Sequence, residues 1–268
     1  MSIQRICALS LRYFYSYTAD FWKFINSIYW CSIEILIWVN VGKWLQNGSG
    51  LSAESLANVD VTFMTKFFII SAIVWMPFVR AAYDVSLAVL REIQSSNVSN
   101  IFSSPIEFKE WVTSLIIFSS VVNFIIITFS FLFVYVFYSL NMFSFYLLPL
   151  MLIIFFAGIS LGFVTSGLII YFGLKVEDLV YMLPWSMLPF SGVYYSLSTL
   201  PYWMEMLGVC LPMSYIFTYV HSVVENKPAN MNLIWVALTM TLVYFILSFL
   251  FFKFMFNKSK DLGLSRFK

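Results

Sequence analysis

Long apolar runs divide this chain into segments of about 20 residues, the length that an α-helix needs to cross the hydrocarbon core of a bilayer. The stretch from Trp111 to Leu174 contains no Asp, Glu, Lys or Arg, and it is long enough for two such helices. We place the break between them at residues 139–144, which read Ser-Leu-Asn-Met-Phe-Ser. The whole pattern predicts six spanning helices, over residues 24–46, 67–90, 111–138, 145–174, 179–196 and 233–252.

Two further segments do not have the pattern of a simple span. Residues 1–20 combine basic and aromatic side chains, which predicts an N-terminal amphipathic helix at the membrane interface. Residues 200–224 contain Pro201 and Pro212, and a proline inside a helix removes a hydrogen bond and breaks the helix. We therefore predict a re-entrant pair of short helices on the outer side, which is buried against other helices or lines a cavity.

The composition is that of a chain surrounded by lipid. Hydrophobic residues make up 61% of the 268 residues and charged residues only 10%, whereas soluble domains carry about 25% charged residues. Inside a bilayer every backbone group must be paired within the protein, which leaves helices or a closed β-barrel. Barrel strands alternate polar and apolar residues, and the runs here are continuous. The expected fold class is an all-α integral membrane protein with a single transmembrane domain over residues 1–268.

The distribution of basic residues predicts the orientation, because Lys and Arg stay on the cytoplasmic side of a membrane. With the N-terminus inside, six spans leave only three of the 15 Lys and Arg residues outside, namely Lys43, Lys66 and Lys227. The others then lie on the cytoplasmic side: Arg5, Arg12, Lys23, Arg80, Arg91, Lys109, Lys175, Lys253, Lys258, Lys260, Arg266 and Lys268. We expect a multi-pass protein of the cytoplasmic (inner) membrane with both termini in the cytoplasm.

Few residues are available for catalysis or for holding a metal ion. The chain has three cysteines, Cys7, Cys31 and Cys210, and one histidine, His221, without the spacing of a metal site. It contains no Gly-x-x-x-x-Gly-Lys-Ser/Thr phosphate loop, and a net charge of +2 does not indicate binding to nucleic acid. We expect no enzymatic activity, no cofactor and no metal site, and we expect membrane lipid as a partner.

Several polar or small residues lie inside the predicted spans. Arg80 and Asp84 are four residues apart, so they share a helix face and are expected to pair. Gly158 and Gly162 form a Gly-x-x-x-Gly motif, which predicts close packing within the bundle. Glu34 lies near the middle of the first span, where a carboxylate is either functional or hydrogen-bonded in a helix contact. The candidate residues for lining a transport path are Glu34, Tyr194, Tyr195 and Glu205.

The loop between the second and third spans resembles a segment of a known family. Residues 91–104 combine polar residues with an apolar stripe at helical spacing, and Pro105 ends the segment because the residue before a proline avoids helical angles. Two later segments follow in order, 189–195 (Pro-Phe-Ser-Gly-Val-Tyr-Tyr) and 211–217 (Leu-Pro-Met-Ser-Tyr-Ile-Phe). Together with the number and orientation of the spans, these motifs resemble the ABC-2 type transporter permease family over essentially the whole chain.

The resemblance implies the transmembrane permease subunit of an ATP-driven ABC exporter, which moves a glycan, lipid, drug or peptide out of the cytoplasm. It also implies two copies of a separate ABC ATP-binding subunit and a second permease copy, in a homodimer or a heterodimer. The loop would be the coupling helix that docks on the ATP-binding subunit, through Arg91, Glu92, Asn97, Phe102, Ser104 and Pro105. The chain departs from the family pattern at 218–221 (Thr-Tyr-Val-His), so the resemblance does not indicate a cargo.

Another class of membrane protein is the alternative prediction. A secondary carrier is expected to have repeated halves and helices that are broken near mid-membrane, and no convincing repeat is found in the sequence. A channel or accessory subunit would not need an ordered coupling loop. The alternative is therefore a secondary carrier or channel subunit without an ATPase partner.

Overall fold

The computed structural model describes residues 2–19, 21–48, 61–225 and 227–262, and these residues form helices and connecting turns without a β-strand. The α-helices are α1 (Ile3–Thr18), α2 (Phe21–Gly48), α3 (Val61–Gln94), α4 (Val98–Ser103), α5 (Phe108–Tyr138), α6 (Leu147–Phe172), α7 (Leu179–Ser186), α8 (Tyr202–Val209), α9 (Pro212–Val224) and α10 (Asn232–Asp261). Short 3-10 helices cover Gly173–Val176, Leu188–Phe190 and Leu197–Thr199. The predicted all-α fold is confirmed.

Within these described ranges, five helices are long and apolar enough to cross a bilayer. The candidate spans are Phe24–Leu45, Met64–Gln94, Phe108–Tyr138, Leu147–Val176 and Asn232–Asp261. They overlap the first four predicted spans and the sixth, and the bent pair α8–α9 makes six if it counts as one span. The chain is thus a multi-pass membrane protein. Arg266 and Lys268, which contributed to the predicted orientation, lie outside the described residues.

Helix α3 forms the centre of the bundle and is buried along most of its length. It packs most extensively on α6, and it also contacts α2 and α5, while α6 packs on α10. Helices α2 and α10 lie at the periphery, and each buries only a minor part of its surface. Several large side chains of α2 consequently remain exposed, among them Trp30, Ile37 and Trp44.

The closest approach between α3 and α6 occurs at the predicted glycine motif. A Cβ atom on Gly158 would lie 2.3 Å from the carbonyl oxygen of Phe78. A Cβ atom on Gly162 would lie 3.0 Å from the Cβ atom of Val85. The motif therefore mediates a contact within the bundle, as predicted, because only residues without a side chain let the two backbones come this close.

The predicted fifth span over residues 179–196 is wrong as a single helix. Helix α7 ends at Ser186, and the 3-10 helix Leu188–Phe190 follows it. Pro189 has no N–H group to continue the helical hydrogen bonds. Gly192 then adopts a positive φ of 65°, which turns the chain out of the helical path. The sequence-based prediction counted apolar residues and gave too little weight to these two positions.

Residues 191–211 lie between this broken segment and α9, and we call them the insertion. After the insertion, the chain returns to the end of the broken segment. The hydroxyl group of Ser214, in the first turn of α9, donates to the carbonyl oxygen of Gly208 at 2.7 Å. The same hydroxyl lies 3.4 Å from the carbonyl oxygen of Phe190. The end of the α7 segment and the start of α9 are therefore neighbours, although about twenty residues separate them along the chain.

The two helices predicted for residues 200–224 are confirmed as α8 and α9, with a bend of 98° between them. Tyr244, near the middle of the long helix α10, donates a 2.6 Å hydrogen bond to the carbonyl oxygen of Cys210 between α8 and α9. The bend therefore lies at the level of the middle of α10. Irregular backbone at that depth needs cover from protein, and the tyrosine hydroxyl provides one of the missing hydrogen bonds.

The amphipathic helix predicted for residues 1–20 is confirmed as α1, which packs on α5 and α2. Its buried hydrophobic side chains recur every three or four residues: Ile6, Leu9, Tyr13 and Tyr17. The indole N–H of Trp111 in α5 donates a 2.7 Å hydrogen bond to the Tyr13 hydroxyl. Helix α1 is thereby attached to the same end of the bundle as the loop between α3 and α5.

Candidate functional site

The predicted coupling segment 91–104 contains one short helix, α4. Helix α3 extends further than predicted, to Gln94, and a turn with Ser96 at a positive φ of 54° leads into α4. The buried face of α4 carries Val98 and Ile101, which are 1% and 4% exposed. The opposite face carries exposed polar side chains, among them Asn100 and Ser103. The helix is thus anchored by apolar contacts on one side and is accessible to a partner on the other.

Two of the predicted coupling residues hold the turn before α4 together. Glu92 is buried, and its carboxylate accepts hydrogen bonds from Arg12 Nη2 at 2.5 Å and from Asn97 Nδ2 at 2.8 Å. The backbone N–H of Asn97 donates to the carbonyl oxygen of Glu92 at 2.8 Å. Arg91 is half-buried in the last turn of α3. Glu92 and Asn97 therefore position α4, and a docking protein would contact other residues, on the exposed face of this helix.

The remaining predicted coupling residues attach the end of α4 to three helices of the bundle. Phe102 packs on Trp111 of α5 and on Phe256 of α10, with ring centroids 5.2 and 4.5 Å apart. The hydroxyl of Ser104 donates to the last turn of α4, and the carbonyl oxygen of Pro105 accepts a hydrogen bond from Arg5 of α1. The loop is therefore attached to α1, α5 and α10.

Sequence reasoning missed the contribution of α1 to this loop. Arg5 lies 3.7 Å from Glu110, and the Glu110 carboxylate also accepts the N–H of Ser2 at 2.6 Å. Arg5 and Arg12 are seven residues apart, which is two helical turns, so their common face could have been read from the sequence. Burial raises the pKa of the neighbouring Tyr13 phenol, which keeps it protonated beside Trp111.

Inside the bundle, two of the four candidate path residues come together. The hydroxyl of Tyr194 donates to the Glu34 carboxylate at 3.2 Å. Tyr194 also stacks on Trp38, one helical turn after Glu34, with ring centroids 3.5 Å apart, and Trp38 stacks on Phe68 at 5.4 Å. Glu34 is half-buried, and Tyr194 is 9% exposed. We call Glu34, Trp38, Phe68 and Tyr194 the Glu34 centre.

The other two candidates lie outside this centre. The Tyr195 hydroxyl donates to the carbonyl oxygen of Pro189 at 2.5 Å, so it braces the turn between α7 and the insertion. Glu205 lies in the first turn of α8 and is half-buried.

The position of Tyr194 is determined through the preceding residue, Val193, whose backbone is bound by the single histidine, His221. The imidazole Nε2 atom of His221 donates to the carbonyl oxygen of Val193 at 3.0 Å and lies 3.3 Å from the hydroxyl oxygen of Ser71. The ring also packs on Phe67, with centroids 4.3 Å apart. His221 thus connects α9, α3 and the insertion, which is a structural role that the sequence did not predict.

Replacing Gly192 by alanine is expected to destabilise this region, because an L-residue in the left-handed conformation costs about 1–2 kcal/mol. The added Cβ atom would also lie 3.2 Å from Cγ of Leu197. The measurement is the thermal unfolding midpoint of the purified protein in detergent. Ser198→Ala is the control, because Ser198 is exposed in the same insertion and has no positive φ. Equal midpoints for the two variants would contradict the proposed constraint at Gly192.

A second polar cluster joins α1, α2 and α3. Arg80 and Asp84 pair at 2.8 Å, as predicted. Arg80 also donates to the Tyr17 hydroxyl at 3.4 Å, and that hydroxyl donates to Ser27 at 2.6 Å. The pair is deeply buried, with 15% of the Arg80 side chain and 3% of the Asp84 side chain exposed. These contacts compensate the charges within the bundle, which is the structural role expected for them.

Two comparisons with known proteins found no match. No protein-family model matches this chain, and no curated protein is significantly similar to it. Among the described residues, no group of three or more His, Cys, Asp or Glu side chains is arranged to hold a metal ion. We take the exposed face of α4 and the Glu34 centre as the two candidate functional features.

Proposed function

We propose that this chain is the membrane subunit of an ATP-driven exporter of ABC-2 type, oriented in the cytoplasmic membrane with both termini inside. The supporting observation is α4, a short helix that is anchored on the bundle by Val98 and Ile101 and exposes polar residues on its other face. A separate ATP-binding subunit would dock there, since the chain has no phosphate loop of its own.

Two ATP-binding subunits and a second permease copy would complete the exporter. Helix α2 supports the second copy, because large side chains such as Trp30, Ile37 and Trp44 remain exposed on it. Contiguous exposed apolar surface indicates a contact with lipid or protein. The path for the cargo would lie between the two copies, along α2, α3 and the broken α7 segment, with the Glu34 centre facing it.

In this mechanism, ATP-driven closure of the partner subunits displaces α4. Because α4 is fixed to Glu92 of α3 and to Trp111 of α5, the displacement tilts both spanning helices. The ATP-binding subunits thus favour one of two arrangements of the bundle, in the manner of a ligand that binds one conformation more tightly.

The proposal predicts that Ser103→Arg on the exposed face of α4 prevents docking without preventing membrane insertion. The test is purification from native membranes in mild detergent, with identification of co-purifying proteins by mass spectrometry. We expect the wild type to recover an ATP-binding subunit and Ser103→Arg to recover at least about tenfold less, the effect of about 1.4 kcal/mol. Asp261→Arg, at the exposed end of α10, is the control for an added arginine on the same side of the membrane.

Recovery of the wild-type chain without any ATP-binding protein would overturn the exporter proposal. It would favour a secondary carrier or channel instead, for which an intramembrane carboxylate such as Glu34 is a typical coupling group. Equal recovery of the ATP-binding subunit with both arginine variants would leave the exporter standing and would overturn the assignment of α4 as its docking site.

A further inference from the structure

The carboxylate of Glu34 has no cationic partner in the described part of the chain. Its hydrogen bond comes from the neutral Tyr194 hydroxyl at 3.2 Å and engages Oε1. No Lys, Arg or His nitrogen among the described residues lies within 4.0 Å of it. Asp84, by contrast, is paired inside the bundle with Arg80 at 2.8 Å. An uncompensated carboxylate inside a bilayer is costly, so Glu34 has capacity for a positive charge that the described residues do not supply.

Aromatic rings lie on both sides of this carboxylate along α2. Trp30 and Trp38 are four residues before and after Glu34, which places all three on one helix face. Trp30 is 57% exposed, so its ring is available to a ligand. Tyr194 stacks on Trp38 beside the carboxylate. Aromatic faces attract organic cations through the ring quadrupole, and the attraction grows when the cation loses its water.

The polar groups around Glu34 do not suit other classes of ligand. A sugar needs several hydrogen-bonding side chains, but the Tyr194 hydroxyl already donates to Glu34 and the Cys31 thiol is engaged with Ser130 at 3.0 Å. An anion would be repelled by the carboxylate. A metal ion needs more ligands than one carboxylate, and no cluster of possible metal ligands occurs in the described residues.

The depth of the site adds a requirement for lipophilicity. Glu34 lies midway along the candidate span Phe24–Leu45. Its side chain is half-buried on a peripheral helix, so it is reachable from the surface that a second copy would face. A strongly hydrated cation would have to lose its water at mid-membrane, whereas a cation whose charge is shielded by apolar groups would not.

We propose that the Glu34 centre, together with Trp30, binds a lipophilic organic cation, so that the exported cargo belongs to this chemical class. This inference deepens the proposed export function and rests on it. The carboxylate supplies the charge complement, and the tryptophan rings supply an apolar aromatic surface. The hydrogen bond from Tyr194 holds the carboxylate in place and leaves Oε2 for the ligand.

The test compares two probes of nearly the same shape and opposite charge, tetraphenylphosphonium and tetraphenylborate. Equilibrium dialysis measures their binding to the full chain in phosphatidylcholine nanodiscs, with empty nanodiscs subtracted. We expect saturable binding of tetraphenylphosphonium and none of tetraphenylborate. Glu34→Gln, which retains an acceptor for Tyr194, is expected to weaken binding of the cation by at least about tenfold, or about 1.4 kcal/mol.

Two further variants separate recognition from folding. Glu177→Gln removes another half-buried carboxylate, which lies between α6 and α7 outside the centre, and is expected to leave binding unchanged. Trp30→Ala is expected to weaken binding of the cation without lowering the thermal unfolding midpoint, because Trp30 is largely exposed. Equal binding of both probes, no saturable binding of the cation, or unchanged binding in Glu34→Gln would overturn the inference.

This experiment requires no ATP-binding subunit, so its failure differs from failure of the exporter proposal. A co-purifying ATPase without binding of tetraphenylphosphonium would overturn the cargo class alone. Saturable, Glu34-dependent binding without any ATPase partner would support the cation site and overturn the exporter, with a cation carrier as the result.

Discussion

Alanine at Gly158 is expected to prevent α6 from packing on α3 and to remove most of the correctly folded protein. The new Cβ atom would lie 2.3 Å from the carbonyl oxygen of Phe78 and 2.9 Å from the Cβ atom of Ala81. Neither of these atoms belongs to a flexible side chain, so the two helices would have to separate along the most extensive contact of the bundle. Overpacking a core costs about 1–3 kcal/mol, and we expect the upper end of that range here.

Size-exclusion chromatography of a fluorescent fusion in detergent measures the folded, monodisperse fraction of each variant. Gly162→Ala provides a graded control, because its Cβ atom would meet the side chain of Val85 at 3.0 Å, a milder conflict. We expect the order wild type, Gly162→Ala, Gly158→Ala in both folded fraction and thermal stability. A Gly158→Ala protein as stable as the wild type would mean that the α3–α6 contact is looser than described.

Removing the Arg80 charge is the second change from which we expect a large effect. In Arg80→Leu the carboxylate of Asp84 remains buried without its partner, and breaking a buried ion pair on one side costs about 3–5 kcal/mol. The double variant Arg80→Leu/Asp84→Leu removes both charges, so it is expected to recover part of the lost stability. The measurement is the thermal unfolding midpoint of the wild type, both single variants and the double variant.

The double-mutant cycle separates a charge effect from a loss of packing. A double variant that is less stable than Arg80→Leu, by an amount equal to the effect of Asp84→Leu alone, would show that the pair is not coupled. The contact between Arg80 and Tyr17 is lost in both Arg80 variants, so it does not affect the comparison between them.

Both predictions concern α3, which also connects the two candidate functional features. Phe68 of this helix belongs to the Glu34 centre, where it stacks on Trp38, and Ser71 contacts His221. At the other end of α3, Glu92 holds the turn before α4. In the proposed exporter, a displacement of α4 would therefore reach the cargo site through one continuous helix. The stiffness of the packing of α3 on α6 would determine how much of this displacement is transmitted to the Glu34 centre.

The sequence alone determined the class of the protein and the extent of most spanning helices. A bilayer requires about 20 apolar residues per helix and satisfies no backbone hydrogen bonds itself. Both requirements act locally along the chain, so the candidate spans over Phe24–Leu45 and Phe108–Tyr138 could be located from their residues. The Arg80–Asp84 pair was also predictable, because a spacing of four residues defines a common helix face.

The contacts at the two candidate functional features were decided by the tertiary structure. Glu34 and Tyr194 are 160 residues apart, and Arg12 and Glu92 are 80 apart. In a bundle that is apolar on most sides, hydrophobic periodicity does not specify which helix faces meet. The break in the fifth span likewise depends on contacts that cover its backbone, such as the hydroxyl of Ser214. Long-range packing therefore determines where each polar group in this chain finds its partner, whereas local composition determines that the chain crosses the membrane.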